Sequence, residues 1–170
     1  MCDGFGRAQG MIYDLDLKMN IRNITFTSAL VLAALGCAAQ MPRAVSWSAS
    51  VERADTCTAT FRAVLEPGWH LYALELPEGG PRPTEIDLSG SRGVTFTANP
   101  AADRPATQVD DEMFGMTLAW WDGTATFTVP FVVSEPDDAC IEARISYMVC
   151  NGESCLPPRT EIFSLPINQK

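Results

Sequence analysis

The chain is predicted to be an all-β domain, an immunoglobulin-like antiparallel β-sandwich, on three observations. Short segments with period-two alternation recur along residues 45–165; turn clusters rich in Gly, Pro, Asn and Asp separate them; and beyond residue 40 no window of eleven or more residues carries a helical repeat. In order, the strand-like segments are Val45–Val51, Cys57–Leu65, Trp69–Leu74, Thr84–Leu88, Val94–Thr97, Thr117–Trp121, Thr124–Val133, Ile141–Val149 and Thr160–Leu165. Thr58-Ala59-Thr60-Phe61-Arg62-Ala63-Val64 and Thr124-Ala125-Thr126-Phe127-Thr128-Val129 show the alternation most clearly, each with one wet and one dry face and many β-branched residues. Glu66-Pro67-Gly68, Glu78-Gly79-Gly80-Pro81-Arg82-Pro83 and Asp122-Gly123 supply reversals between them. Residues 99–115 form the longest stretch without periodicity and read as a long loop, a type of segment that is often functional.

The 170 residues hold one ordinary domain, with 46% apolar residues to build its core. Met19-Asn20-Ile21-Arg22-Asn23, the apolar run Ile24–Leu35 and the small residues Gly36-Cys37-Ala38-Ala39 have the order of an export signal over residues 19–39. The apolar run is short for a transmembrane helix, which needs about twenty residues. Residues 1–18 precede that pattern and read as an upstream extension from a misassigned start. Cys37 stands where a lipoprotein leader places its acylated cysteine, although Ala34 and Leu35 are swapped relative to the usual order; ordinary cleavage near Ala38 or Ala39 is the other reading.

Of 12 basic and 21 acidic residues, removing Arg7, Lys18 and Arg22 and Asp3, Asp14 and Asp16 leaves 9 basic and 18 acidic in the expected mature domain, residues 40–170. This balance disfavours nucleic acid and electrostatic binding to anionic lipid, leaving a lipid anchor as the expected route to a membrane. A single histidine, His70, argues against a multi-histidine metal site or a catalytic triad; no metal and no cofactor are expected.

The most informative segment is Tyr147-Met148-Val149-Cys150-Asn151-Gly152-Glu153-Ser154-Cys155-Leu156-Pro157-Pro158. Asn151-Gly152 is a strong turn dipeptide that reverses the chain between Cys150 and Cys155, making a disulfide sterically accessible. So short a loop removes only about 2 kcal/mol of unfolded-chain entropy, against about 4.5 kcal/mol for a loop of about eighty residues, so the pair is poorly placed as a staple. At an exposed turn it suits exchange better. Cys57 and Cys140 remain, either as a second, structural disulfide by elimination or as two free thiols.

Together with these cysteines, Trp69-His70-Leu71-Tyr72, Gly79-Gly80-Pro81 and Asp111-Glu112-Met113-Phe114-Gly115 make the sequence resemble the N-terminal periplasmic domain of the thiol:disulfide interchange protein DsbD family, over most of residues 44–166. The resemblance implies an immunoglobulin-like domain that relays reducing equivalents in the bacterial envelope. Its donor would be a thioredoxin-like protein and its acceptors disulfide-bearing envelope proteins, such as disulfide isomerases or cytochrome c maturation thioredoxins. It further implies that Cys150 and Cys155 are the redox couple, with Cys155 linking to partners and Cys150 resolving, and that Asp111–Gly115 caps the sulfurs. Here Met113 and Phe114 stand where family members carry an aromatic and a tyrosine, and four rather than five residues separate the cysteines.

Carboxylates at Asp111, Glu112 or Glu153, if near the sulfurs, would hold the thiols protonated. His70 and Tyr72 are expected on one strand near the site, and Tyr147 beside the sulfurs. The competing reading is a β-sandwich binding or adhesion module whose hairpin disulfide is structural. An envelope chaperone offering an edge strand is a third.

Overall fold

The computed structural model describes residues 43–53 and 56–167. The export signal, the upstream extension and Cys37 lie outside the described residues.

Twelve strands appear in this order: β1 Val45–Arg53, β2 Cys57–Leu65, β3 His70–Tyr72, β4 Glu85–Asp87, β5 Val94–Phe96, β6 Ala101–Ala102, β7 Thr107–Asp111, β8 Met116–Asp122, β9 Thr124–Val133, β10 Cys140–Tyr147, β11 Val149–Cys150 and β12 Arg159–Pro166. All pairings are antiparallel. The only helical element among the described residues is a 3-10 turn at Pro136–Asp138. No helix among them is long and apolar enough to cross a membrane.

One sheet has the order β1-β2-β9-β5, with β6 also pairing with β9. A three-stranded sheet runs β12-β10-β4 and a four-stranded one β11-β3-β8-β7. These last two are linked through β10 and β11, a single run of chain interrupted at Met148. Period-two alternation determines which side chains fill the gap between the layers. Ala59, Phe61, Ala63 and Leu65 of β2 and Ala125, Phe127, Val129 and Phe131 of β9 are buried, with Phe61 directly opposite Phe127. From the other layer come Ile141, Ala143, Ile145 and Tyr147 of β10, with Leu71, Trp121 and Val149, forming one continuous core. Trp47 of β1 stacks on Phe127 at 5.9 Å between ring centroids.

One expectation changes, and one of the two readings left open for Cys57 and Cys140 is found. The long loop over residues 99–115 contains β6 and β7, and β7 pairs with β8 from Thr107↔Trp120 to Asp111↔Met116. Thr107-Gln108-Val109-Asp110-Asp111 is an edge strand held by its backbone, with largely wet side chains, so it lacks the apolar period that marks a strand in sequence. Cys57 and Cys140 are both free rather than bonded to each other. Cys57 starts β2 in the first sheet, opposite Phe131, whereas Cys140 starts β10 in the three-stranded sheet with its Sγ 3.4 Å from Ser164 Oγ.

Candidate functional site

Cys150 and Cys155 are joined in a disulfide that closes a small hairpin. Backbone hydrogen bonds run from Leu156 N–H to Val149 O (3.0 Å) and from Asn151 N–H to Ser154 O (3.1 Å), bracketing the cysteine pair. Gly152 takes φ +83°, where a side chain is strained. Asn151 Oδ1 accepts from the N–H groups of Glu153 (3.1 Å) and Ser154 (2.8 Å), so the side chain preceding the glycine fixes the turn. The two sulfurs differ in access, contrary to an exposed pair: Cys150 is 1% exposed, while Cys155 is only half-buried.

Strand register explains the surroundings. Cys150 sits opposite His70, His70 opposite Asp122 and Tyr72 opposite Trp120, and Asp111 of β7 lies opposite Met116. Cross-strand partners share a face and alternate residues return to it, so Cys150, His70, Tyr72, Met116, Leu118, Trp120, Asp122 and Asp111 all belong to one face of the four-stranded sheet. Leu71, Trp121 and Val149 occupy the opposite face and enter the main core. The site is therefore a second, smaller apolar cluster on the outer side of the sheet. Tyr72, Leu118 and Cys150 are buried there, with Leu76, Phe114, Met116, Trp120, Met148 and Cys155 packed against them.

The β7–β8 turn lies over this cluster. Asp111 Oδ1 accepts from Phe114 N–H (2.9 Å) and Asp111 O from Gly115 N–H (2.8 Å), so the acid at the start of the turn sets its shape. Phe114 meets Tyr72 edge-on, with centroids 6.4 Å apart. Met113 Sδ rests 3.9 Å from Cys155 Sγ although the residue is 52% exposed. Of the two residues at the tip, Met113 touches the outer sulfur and Phe114 fills the cluster beneath. Glu112 and Glu153 are exposed. A Cβ at Gly80 would sit 3.3 Å from Leu118 Cδ2 and 3.4 Å from Met116 Sδ, so the Gly79-Gly80-Pro81 segment closes another side of the cluster.

His70 is buried, with its ring stacked on Trp120 at 4.1 Å and edge-on to Tyr72 at 5.2 Å. Burial lowers its imidazole pKa, against the opposing pull of the Asp122 and Asp111 carboxylates. The Tyr72 phenol is pushed up to about 12 by burial and by the Asp111 charge.

Tyr147 is not part of this constellation. It faces the main core, tilted against Trp47 at 5.5 Å, and its hydroxyl donates to Glu161 Oε1 at 3.3 Å. Three residues apart in alternating chain, Tyr147 and Cys150 point to opposite sides of their layer, and it is Met148, on the parity of Cys150, that packs on the site cluster. Met116, Leu118 and Met148 were not anticipated as site residues. The alternation Met116, Leu118, Trp120 along β8 was the signal that could have found the first two.

The architecture and site define an immunoglobulin-like all-β domain that carries a disulfide beneath a turn on the outer face of one sheet. The chain belongs to the family described as "Thiol:disulfide interchange protein DsbD, N-terminal", which matches residues 38–167. Among solved structures it is similar to the N-terminal periplasmic domain of ScsB from Proteus mirabilis (16% identity, TM-score 0.54), covering 75% of this chain but only 49% of that one. It is also similar to the Neisseria meningitidis DsbD N-terminal domain in its reduced form (16% identity, TM-score 0.51), covering 76% of this chain and 91% of that one. No curated protein matches the sequence significantly.

Proposed function

We propose that this domain exchanges its Cys150–Cys155 disulfide with thioredoxin-like proteins of the bacterial envelope, accepting two electrons from a donor and passing them to a disulfide-bearing acceptor. The observation that carries this reading is the asymmetry of the pair: Cys155 is accessible under the Met113 thioether, whereas Cys150 is buried.

A donor thiolate attacks Cys155 Sγ, forming a mixed disulfide and releasing Cys150 Sγ as the leaving group. The donor's second thiolate then attacks its own linked sulfur and frees Cys155. The donor leaves as a disulfide, and the domain holds two thiols with the two electrons and two protons. Toward an acceptor the sequence reverses, with the Cys155 thiolate attacking and Cys150 resolving. The cap of Asp111–Gly115 must be displaced in both directions. Residues 19–39 would export the chain, with 40–170 as the functional domain; in a leader of the lipoprotein type, cleavage falls before Cys37, which stays with the domain as its lipid anchor.

The test is the reduction potential of the pair, measured by thiol trapping across redox buffers, together with reduction by a dithiol thioredoxin. A potential above about −300 mV with thioredoxin-dependent reduction supports exchange. A lower potential with no exchange would instead favour a structural hairpin disulfide in a binding module.

A further inference from the structure

His70 Nε2 is buried and has no hydrogen-bond partner. Leaving a buried polar nitrogen without a partner is costly, so its persistence needs a reason. The register supplies one. His70 stands directly across from Cys150, on the same sheet face, where paired Cβ atoms lie about 5 Å apart. In the disulfide state Cys150 carries no proton and has nothing to offer the imidazole. In the dithiol state it acquires an S–H donor within the same apolar cluster.

We propose that His70 is the base that takes the proton of the Cys150 thiol when Cys150 resolves a mixed disulfide at Cys155. This rests on the exchange reading above. The step balances without an outside reagent: the Cys150 S–H proton passes to the imidazole and the resulting thiolate attacks Cys155 Sγ. The S–S bond between Cys155 and the partner breaks, and the departing thiolate takes up a proton from the imidazolium. Cys150 needs such help more than Cys155 does, because ionising a buried thiol unaided is costly.

The neighbouring groups leave this role to His70. Tyr72, on the same strand, stays protonated far above neutral pH. Asp111 of β7 uses its carboxylate on Phe114 N–H. Asp122 of β8, opposite His70, is exposed and with Asp111 favours the imidazolium once it forms. Arg104 meets the backbone carbonyls of Asp122 and Thr124 (2.8 and 3.0 Å). Stacking on Trp120 fixes the ring plane.

The test uses glutathione disulfide as the acceptor and the untagged, reduced protein. Cys155 attacks it and releases the first glutathione; attack by Cys150 on the mixed disulfide releases the second. Rapid acid quench and mass spectrometry follow the two steps across pH 5–9. For His70→Phe, which keeps an aromatic ring on Trp120, the second step is expected to slow by about 100-fold at neutral pH, in the range of positioned general bases. Its rate should climb about tenfold per pH unit, whereas wild type levels off earlier. An unchanged second step and pH profile in His70→Phe overturns the proposal. If wild type forms no mixed disulfide at all, the exchange reading fails and this proposal with it.

Should His70→Phe not fold, the wild-type imidazole gives the answer. It is the only histidine, so its NMR titration needs no assignment by mutation. Coupling to the Cys150 thiol requires its titration midpoint to differ between the disulfide and dithiol forms; identical curves overturn the proposal.

Discussion

Phe114 and Met113 are adjacent in the cap, and the structure gives them unequal shares in holding it shut. Phe114 is half-buried in the site cluster and meets Tyr72 edge-on. Truncation to alanine forfeits about 1 kcal/mol of burial and about 1 kcal/mol of aromatic contact. Met113 is 52% exposed and contributes mainly its contact with Cys155, worth about 0.5 kcal/mol. If a small dithiol reaches Cys155 only when the turn opens, about 2 kcal/mol raises the open population, and hence the reduction rate, about thirtyfold in Phe114→Ala. Met113→Ala should gain only about twofold. Asp111→Ala removes the acceptor for Phe114 N–H and should gain about tenfold, whereas Asp111→Asn keeps an acceptor oxygen and should stay within about threefold of wild type. The assay is the pseudo-first-order rate of disulfide loss in dithiothreitol, quenched with a thiol alkylator, with urea midpoints measured in parallel. A Phe114→Ala rate within twofold of wild type, or a Met113→Ala rate exceeding it, would refute the assignment of the latch to Phe114.

Gly93→Ala should cost at least about 2 kcal/mol by urea unfolding, because φ is +61° and the added Cβ would meet Glu135 O at 2.5 Å and the Ala139 backbone at 2.8 Å. Tyr72 and Tyr147 both have phenol pKa values raised to about 12, the latter chiefly by burial and then by Glu161. The folded state then holds protons that the unfolded state has lost, so stability is full below about pH 10 and falls as pH rises toward 12. Thermal melts of Tyr72→Phe and Tyr147→Phe should each show a shallower alkaline decline. His70 is shifted downward, so its contribution is present above about pH 6.5 and lost as pH falls, and His70→Phe should flatten the acid side of the same melts. Replacing Cys57 and Cys140 together with serine should leave the Cys150–Cys155 disulfide intact and shift the urea midpoint little, as judged by alkylation mass spectrometry and unfolding curves.

The long strands were legible because each buries one face: the alternation of Thr124–Val133 maps residue for residue onto Ala125, Phe127, Val129 and Phe131 in the core. Asn151-Gly152 located the turn for the same kind of local reason, a backbone conformation and a side-chain acceptor that the dipeptide itself supplies. What escaped was a feature fixed by a partner distant in sequence. β7 is stabilised by β8 and carries no apolar period of its own. Tyr147 was different: alternation runs unbroken through Tyr147-Met148-Val149-Cys150 and places Tyr147 with Val149 in the main core, so its exclusion from the site was legible in the sequence.

That unbroken alternation also accounts for how this fold can hold a disulfide outside its main core. Tyr147 and Val149 share one parity and Met148 and Cys150 the other, and the interruption at Met148 passes the chain from β12 and β4 to β3 without losing that order. Val149 stays in the core and Cys150 emerges on the far side of the same layer, beneath the cap. The disulfide thus lies one sheet thickness from Phe61, Phe127 and Ile145, which are fully buried between the layers. Opening the S–S bond and lifting Phe114 would disturb only the small outer cluster, and the loop it closes contributes little to global stability. The native sandwich should therefore survive in both redox states, with a urea midpoint that changes far less on reduction than on truncating a core residue such as Phe61→Ala, for which about 3–5 kcal/mol is expected. A reduced domain that unfolds at a markedly lower urea concentration would show that the disulfide is a staple after all.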